Sequence, residues 1–287
     1  MANLRIIRRR IKSIQSTAKI TKAMEMVATS KMKKAQERDL AGRPYAEKIQ
    51  QVLEDLVAQQ GTAGHPLLER REMKKIEIIY ITPDRGLCGG LVANMNRSTG
   101  NFVVDTAQRG VPSVLVTVGR KGRDFMLRYG RELKAEFTGM TDKPTLLDTL
   151  PISKIVIDDY TNRACDVVYL SYSRFVTTMT QRPVLQQILP VEPAKSERKT
   201  EVEYIYEPNR REVMADLLPR FVEMQVYHAV LESIASEQSA RMVAMRNASE
   251  SAEDMIKSLT LTLNKARQES ITKEISEITG GAEVFKA

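Results

Sequence analysis

The feature that most constrains this chain is a run of side chains near its carboxyl end. Met224, Tyr227, Leu231, Ile234, Gln238, Arg241, Met245, Ala248, Ala252, Met255, Leu259, Thr262 and Ala266 follow one another at alternating spacings of three and four. A helix brings such positions to one face, and their average spacing of about 3.5 keeps them facing a single partner helix. Roughly six heptads pass without a glycine or proline, several times the length of an ordinary globular helix. Ile271, Ile275 and Ile278 continue the period one step out of phase. Asn209 and Glu212 have the spacing of a capping box, with Pro208 just outside it. Pro219 is placed to kink the early turns. One helix of about 75 residues would be ~110 Å long.

A helix of that length needs a partner for its seam, and the amino end supplies one. Leu4, Ile7, Ile11, Ile14 and Ala18 repeat the three-four alternation, and the stripe then drifts through Ile20, Met24, Val27, Ala28, Met32 and Ala35. Gly42 and Pro44 interrupt it and predict a bend or a brief break. Helix resumes through Ile49, Val52, Leu53, Leu56 and Val57 and stops at 61–66, where Gly61, Gly64 and Pro66 cluster. The arms complement each other in charge. Through Arg38 the amino arm carries eleven basic and two acidic residues; from Arg210 the carboxyl arm carries ten basic and twelve acidic. An antiparallel coiled coil of the two ends covers both seams, although exposed ion pairs add little each. The carboxyl arm is the longer and projects past the pair. Its small and polar seam residues, such as Ala248, Ala252, Thr262 and Ala266, call for another protein around it.

Between the arms the period changes. Residues 76–82 are a short run rich in β-branched side chains, ended by Pro83 and Asp84, and read as a buried strand. A turn at 86–90 leads into a helix. Further strands are predicted at 114–118, 133–137, 166–175 and 184–191, with helices at 120–129 and 146–160. Strands alternating with helices imply a mostly parallel sheet covered on both faces. The polar stretch 193–200 reads as a linker, and 203–206 as a possible edge strand. The fold class is therefore α/β: a long antiparallel coiled coil of the terminal helices plus a central Rossmann-like α/β domain. Its expected divisions are 1–75 for the amino helix, 76–192 for the α/β domain, 193–208 for the linker or edge strand, and 209–287 for the carboxyl helix.

Composition narrows the function. Aromatic residues make up 5% of the chain, tryptophan is absent and methionine numbers 14, which suits long helices packed along narrow seams. A net charge of +8 permits nucleic acid, an anionic membrane surface or an acidic protein as partner. Cys88 and Cys165 form neither a disulfide framework nor a zinc motif, and read as small buried apolar residues. No apolar h-region follows the basic amino end, and no apolar run reaches the ~18 residues a membrane span needs. Membrane association would pass through a partner.

Catalytic chemistry is poorly supplied. His65 and His228 lack a metal-ligand partner at useful spacing, and the carboxylates spread along helix faces. No cofactor is implied. The turn Pro83-Asp84-Arg85-Gly86-Leu87-Cys88-Gly89-Gly90 stands where a strand gives way to a helix, a place that binds phosphate in other proteins. It lacks both the dinucleotide and the P-loop glycine spacing, so tight turning and packing account for its glycines. The basic amino arm could grip a phosphate backbone, but it is also a coiled-coil strand, and no aromatic precedes Tyr45. A nucleic-acid-binding coiled coil and an enzyme using the middle domain remain the rival classes.

Longer strings carry a resemblance. Residues 14–32, IQSTAKITKAMEMVATSKM, resemble the amino helix of the gamma subunit family of bacterial F-type ATP synthases. Residues 84–90, DRGLCGG, are similar to that family's central-domain turn, and 236–242, SEQSARM, with 265–275, KARQESITKEI, to its carboxyl helix. The matches fall in order and cover nearly the whole chain. The resemblance implies a rotary shaft inserted in a ring of alpha and beta subunits. Its α/β domain would lie below the ring, against the epsilon subunit and the membrane rotor ring of c subunits. It implies no nucleic-acid partner, no span of its own, and a peripheral place on the cytoplasmic face of the bacterial inner membrane. The extra segment with a cysteine pair found in chloroplast members is absent. By resemblance, Met24, Arg241, Gln268, Thr272 and Glu274 contact the ring or transmit torque, while Asp84, Arg85, Gly86 and Gly89 shape the structural turn. Coiled-coil packing is the other reading of Met24, and a solvated helix face that of Gln268, Thr272 and Glu274. Arg241 lies on the apolar seam, where a charge needs a partner.

Overall fold

A computed structural model describes residues 2–60, 65–192, 206–207 and 209–284. Five α-helices and five strands are assigned among them: α1 (Ala2–Gln60), β1 (Ile76–Ile81), α2 (Leu91–Gln108), β2 (Ser113–Val118), α3 (Arg120–Arg128), β3 (Leu133–Phe137), α4 (Leu146–Thr161), β4 (Val167–Phe175), β5 (Gln181–Leu189) and α5 (Arg210–Val284). The chain forms two compact units, one of Met1–Val27 with Met242–Ala287, the other of Ala28–Arg241.

The unit Ala28–Arg241 holds a single sheet in the order β3-β2-β1-β4-β5. β1 pairs in parallel with β2 and β4, and β2 with β3; β5 runs antiparallel to β4 at the edge. Every side chain of β1 is buried, as the β-branched run predicts for a central strand covered on both faces. On one face Ile76, Ile78, Tyr80 and Leu115 pack with Met95 and Val103 of α2 and Met126 of α3. On the other, Ile79, Ile81, Val116, Val168 and Leu170 join Ile152 and Val156 of α4, Leu53 and Leu56 of α1, and Leu218 and Val222 of α5. The ends of both long helices are thus part of the domain's core.

α1 continues through Gly42 and Pro44 without the brief break their sequence suggested. Gly42 is fitted against α5: a Cβ there would lie 2.8 Å from His228 Cε1. His228 Nδ1 in turn lies 3.0 Å from Asp39 Oδ1, one turn earlier on α1. That junction supplies the tertiary support a proline-bearing helix needs. α5 likewise runs on through Pro219, and its start carries half of the capping box read from the sequence: Glu212 N donates to Asn209 Oδ1 at 3.0 Å, while Glu212 Oε1 takes its return bond from Asn209 Nδ2 at 2.6 Å rather than from the backbone N–H. The stop at 61–64, the linker at 193–200, Pro208 and all but Tyr206 of the possible edge strand lie outside the described residues.

In the other unit, Ile7 and Thr21 of α1 are buried, as are Met245 and Ala252 of α5. Glu25 joins the helices, accepting from Arg246 Nε at 3.0 Å and from Lys22 Nζ at 3.0 Å. Those bonds, Lys22's foremost, hold its carboxyl below the usual range. Within the unit Ala28–Arg241, Asp39 and Gly42 of α1 meet His228, while the later Leu53 and Leu56 share a core with the earlier Leu218 and Val222, the order of an antiparallel pair.

Candidate functional site

In an open α/β sheet, ligands settle outside the carboxyl ends of the strands where the strand order reverses. Here that place lies between β1 and β4. The turn 84–90 leaves β1 there, and its polar groups are engaged from within. Asp84 Oδ1 accepts from Arg120 N at 2.9 Å, at the start of α3, and its Oδ2 from Gly139 N at 2.8 Å, beyond β3. The carboxylate therefore occupies the anion position that the α3 terminus offers. Thr82 Oγ1 accepts from Gly122 N at 2.9 Å. Gly119 sits so close that a Cβ would fall 1.9 Å from Thr82 O, at a φ of +96°. Arg85 is exposed, and Gly89 has a φ of +57°. Leu87 shares that left-handed backbone at +64° and is 64% exposed.

The helix α5 packs against the same end of the sheet. Ser236 Oγ donates to Ser173 O of β4 at 2.8 Å, and Ser239 Oγ to Thr178 O in the β4–β5 turn at 2.7 Å. Both serines are fully buried, and their short side chains let the helix lie close to the hairpin. Ala240 packs with Cys88 and Leu91. Arg241, expected on the seam with a partner, has two: its Nη2 donates to Glu237 Oε1 at 2.6 Å and to Gly86 O at 3.3 Å. Burial raises the Glu237 carboxyl despite the neighbouring guanidinium, and burial also raises the Cys88 thiol. α5 thus packs against the ends of β1 and β4, and Arg241 meets the turn of Asp84, Arg85, Gly86 and Gly89 there.

The remaining sequence-predicted residues belong to the other unit. Met24 is half-buried on α1. Gln268, Thr272 and Glu274 are exposed on α5, where Glu274 Oε1 accepts from Ser270 Oγ at 3.5 Å. Met255, Leu261, Ile275 and Ile278 on the same helix are each more than half exposed. The serine anchors Ser236 and Ser239 and the Asp39–His228 junction escaped the sequence reading. Serines spaced three apart inside an apolar seam were the available signal for the former; no spacing signals a pair 189 residues apart.

A family model described as ATP synthase matches residues 3–285. The chain is 60% identical over 284 residues to the ATP synthase gamma chain of Dehalococcoides mccartyi strain CBDB1, covering 98% of this chain and 99% of that one. It is 48% identical over 290 residues to the ATP synthase gamma chain of Herpetosiphon aurantiacus, covering 98% of each. A chain from the central stalk and c-ring structure of the Tetrahymena thermophila mitochondrial ATP synthase superposes with a TM-score of 0.62 at 27% identity, over 80% of this chain and 99% of that one. One from the Euglena gracilis mitochondrial ATP synthase rotor gives 0.63 at 16% identity, over 94% and 99%, and shares the fold.

Proposed function

The chain belongs to the ATP synthase gamma family, and on that premise we propose that it is the central shaft of a proton-translocating F-type ATP synthase. The observation that carries the reading is the far part of α5, where Met255, Leu261, Ile275 and Ile278 stay exposed on a long helix. No described segment of the chain covers them, so the apolar surface fits a surrounding protein. The partners of this reading are alpha and beta subunits around the helices, with the epsilon subunit and the rotor ring of c subunits at the α/β domain. The division into arms at 1–75 and 209–287, a middle domain at 76–192 and a linker at 193–208 is part of this proposal.

An asymmetric helix presses differently on each identical neighbour. Turning it biases each catalytic site among tight, loose and open states, a population shift set by differential contacts. Proton flow turns the shaft and the ring makes ATP; ATP hydrolysis turns it the other way. Met24, Arg241, Gln268, Thr272 and Glu274 are the contact and torque positions of this reading, and Asp84, Arg85, Gly86 and Gly89 form the turn that seats α5. The chain contributes no catalytic group of its own. The packing of α5 against the ends of β1 and β4 supports that, as do the uses of its histidines: His65 Nδ1 accepts from Leu67 N at 3.2 Å, and His228 pairs with Asp39. No helix of the described residues is long and apolar enough to cross a membrane, and the reading places the chain at the cytoplasmic face of the bacterial inner membrane through its partners.

The test is ATP hydrolysis by purified alpha and beta subunits with and without this chain, followed together with co-migration. Joint migration with a marked rise in turnover is the expected result. Neither effect with folded partners, together with DNA binding that falls steeply with salt, would replace the shaft with a nucleic-acid-binding coiled coil.

A further inference from the structure

The strand β1 carries one charged residue type amid apolar neighbours. Glu77 is 2% exposed, and neither carboxyl oxygen makes a hydrogen bond of ordinary geometry, with only the Cys165 thiol and the Asp159 carboxyl near enough to interact in that way. Its strand neighbours in register are Val114 of β2 and Val168 of β4, which offer it no side-chain polar group. Three titratable groups face it. Asp159 comes from α4, Lys134 from β3, and the Cys165 thiol from the segment before β4. Lys134 is bonded to Asp159, so the nearest cation is already engaged by a second carboxylate. Asp166, next along, spends its Oδ2 on the backbone N–H groups of Lys74 and Lys75 at 3.0 and 2.9 Å. An ionised carboxylate without hydrogen bonds of ordinary geometry, beside another carboxylate, is the costliest state such a group can take; the protonated acid is far cheaper to bury.

We propose that Glu77 is a proton-binding site of the α/β domain: the fold holds its carboxyl protonated, and ionisation loosens the packing of β3 and α4 against β1. The loosening follows from the charges. A negative Glu77 repels Asp159 and competes with it for Lys134, the residue that ties β3 to α4. The proposal is independent of the shaft reading. It rests on the placement of four side chains within the unit Ala28–Arg241.

Burial, with Asp159 next, raises the Glu77 carboxyl from 4.5 to about 7. Folding therefore takes up a proton here between those values. The stabilisation is fully present below the unfolded value and is lost as pH rises through the folded one.

The experiment follows urea unfolding of the full chain from pH 5 to pH 8.5, beside Glu77→Gln and Glu77→Met, the latter apolar and of similar length. The unfolding constant of the wild type relative to either variant should rise with pH by about a hundredfold or more, levelling above neutrality. Both variants should be the more stable at pH 8. Parallel pH dependences of wild type and variants would overturn the proposal. So would failure of both variants to fold at any pH, because a neutral side chain is what the site requires.

Discussion

At the residue scale, Arg241 and Gln268 share a proposed role and differ in surroundings, which separates their effects. The Arg241 side chain is 11% exposed and bonded to Glu237, itself 17% exposed. Arg241→Met leaves a nearly buried carboxylate without its cation and should cost about 2–4 kcal/mol. Gln268→Ala touches an exposed position and should stay within about 0.5 kcal/mol. Denaturant melts of the full chain measure both, and proton-driven ATP synthesis per assembled complex should fall in each variant. Normal coupling in an assembled Gln268→Ala complex would remove that residue from the torque path. The glycines separate in the same way. Gly119→Ala meets Thr82 O and a positive φ, so it should destabilise by roughly 3 kcal/mol or more. Gly86→Ala finds open space within 4 Å and should melt close to wild type. The motif glycine is thus the more replaceable, and the strand-end glycine outside the motif the less. Sequence spacing marked Arg241 as needing a partner, and Glu237 one turn away was within reach of that reasoning. Gly86 O was not, because only the folded sheet brings the turn to the helix.

At the element scale, the periods of 3.6 and 2 located the helices and strands, since each reflects which faces the core covers. Pairing direction was less legible. A short apolar strand looks alike in parallel and antiparallel sheets, so the antiparallel edge strand β5 and the order β3-β2-β1-β4-β5 came only with the structure. Glu77 passed unremarked for a related reason: one charge within 76–82 does not alter the apolar character of the run, and only burial from both faces makes it exceptional. Pro44 is the clearest conflict between local and tertiary terms. It is exposed within α1 and removes one helix hydrogen bond while crowding the preceding turn. Pro44→Ala should raise stability by roughly 1–3 kcal/mol, read as a later urea midpoint with an unchanged slope. A lower midpoint would mean that the proline shapes the Asp39–His228 junction, and would reverse the expected sign.

At the scale of the whole molecule, the unit Ala28–Arg241 has its own sheet and two-sided core, whereas the far residues of α5 are largely exposed. Amide exchange should divide the isolated chain accordingly. Backbone groups in β1, β2 and β4 should be the slowest, and those beyond Met255 in α5 should exchange quickly for lack of packing. Adding alpha and beta subunits should slow the second set and leave the first unchanged. Equal protection of both sets in the isolated chain would argue that α5 needs no surrounding partner.

The coiled-coil unit draws its halves from the two ends of the sequence, Met1–Val27 and Met242–Ala287. On a ribosome, synthesis proceeds at about 5–20 residues per second, so the first half waits roughly 10–40 s for the second. During that interval an apolar, strongly basic helix is displayed beside ribosomal RNA without its mate. The sheet of the intervening unit can begin to form meanwhile, but its core closes only when Leu218 and Val222 of α5 arrive. A newly made chain therefore carries one half of a coiled coil without its mate for most of its synthesis.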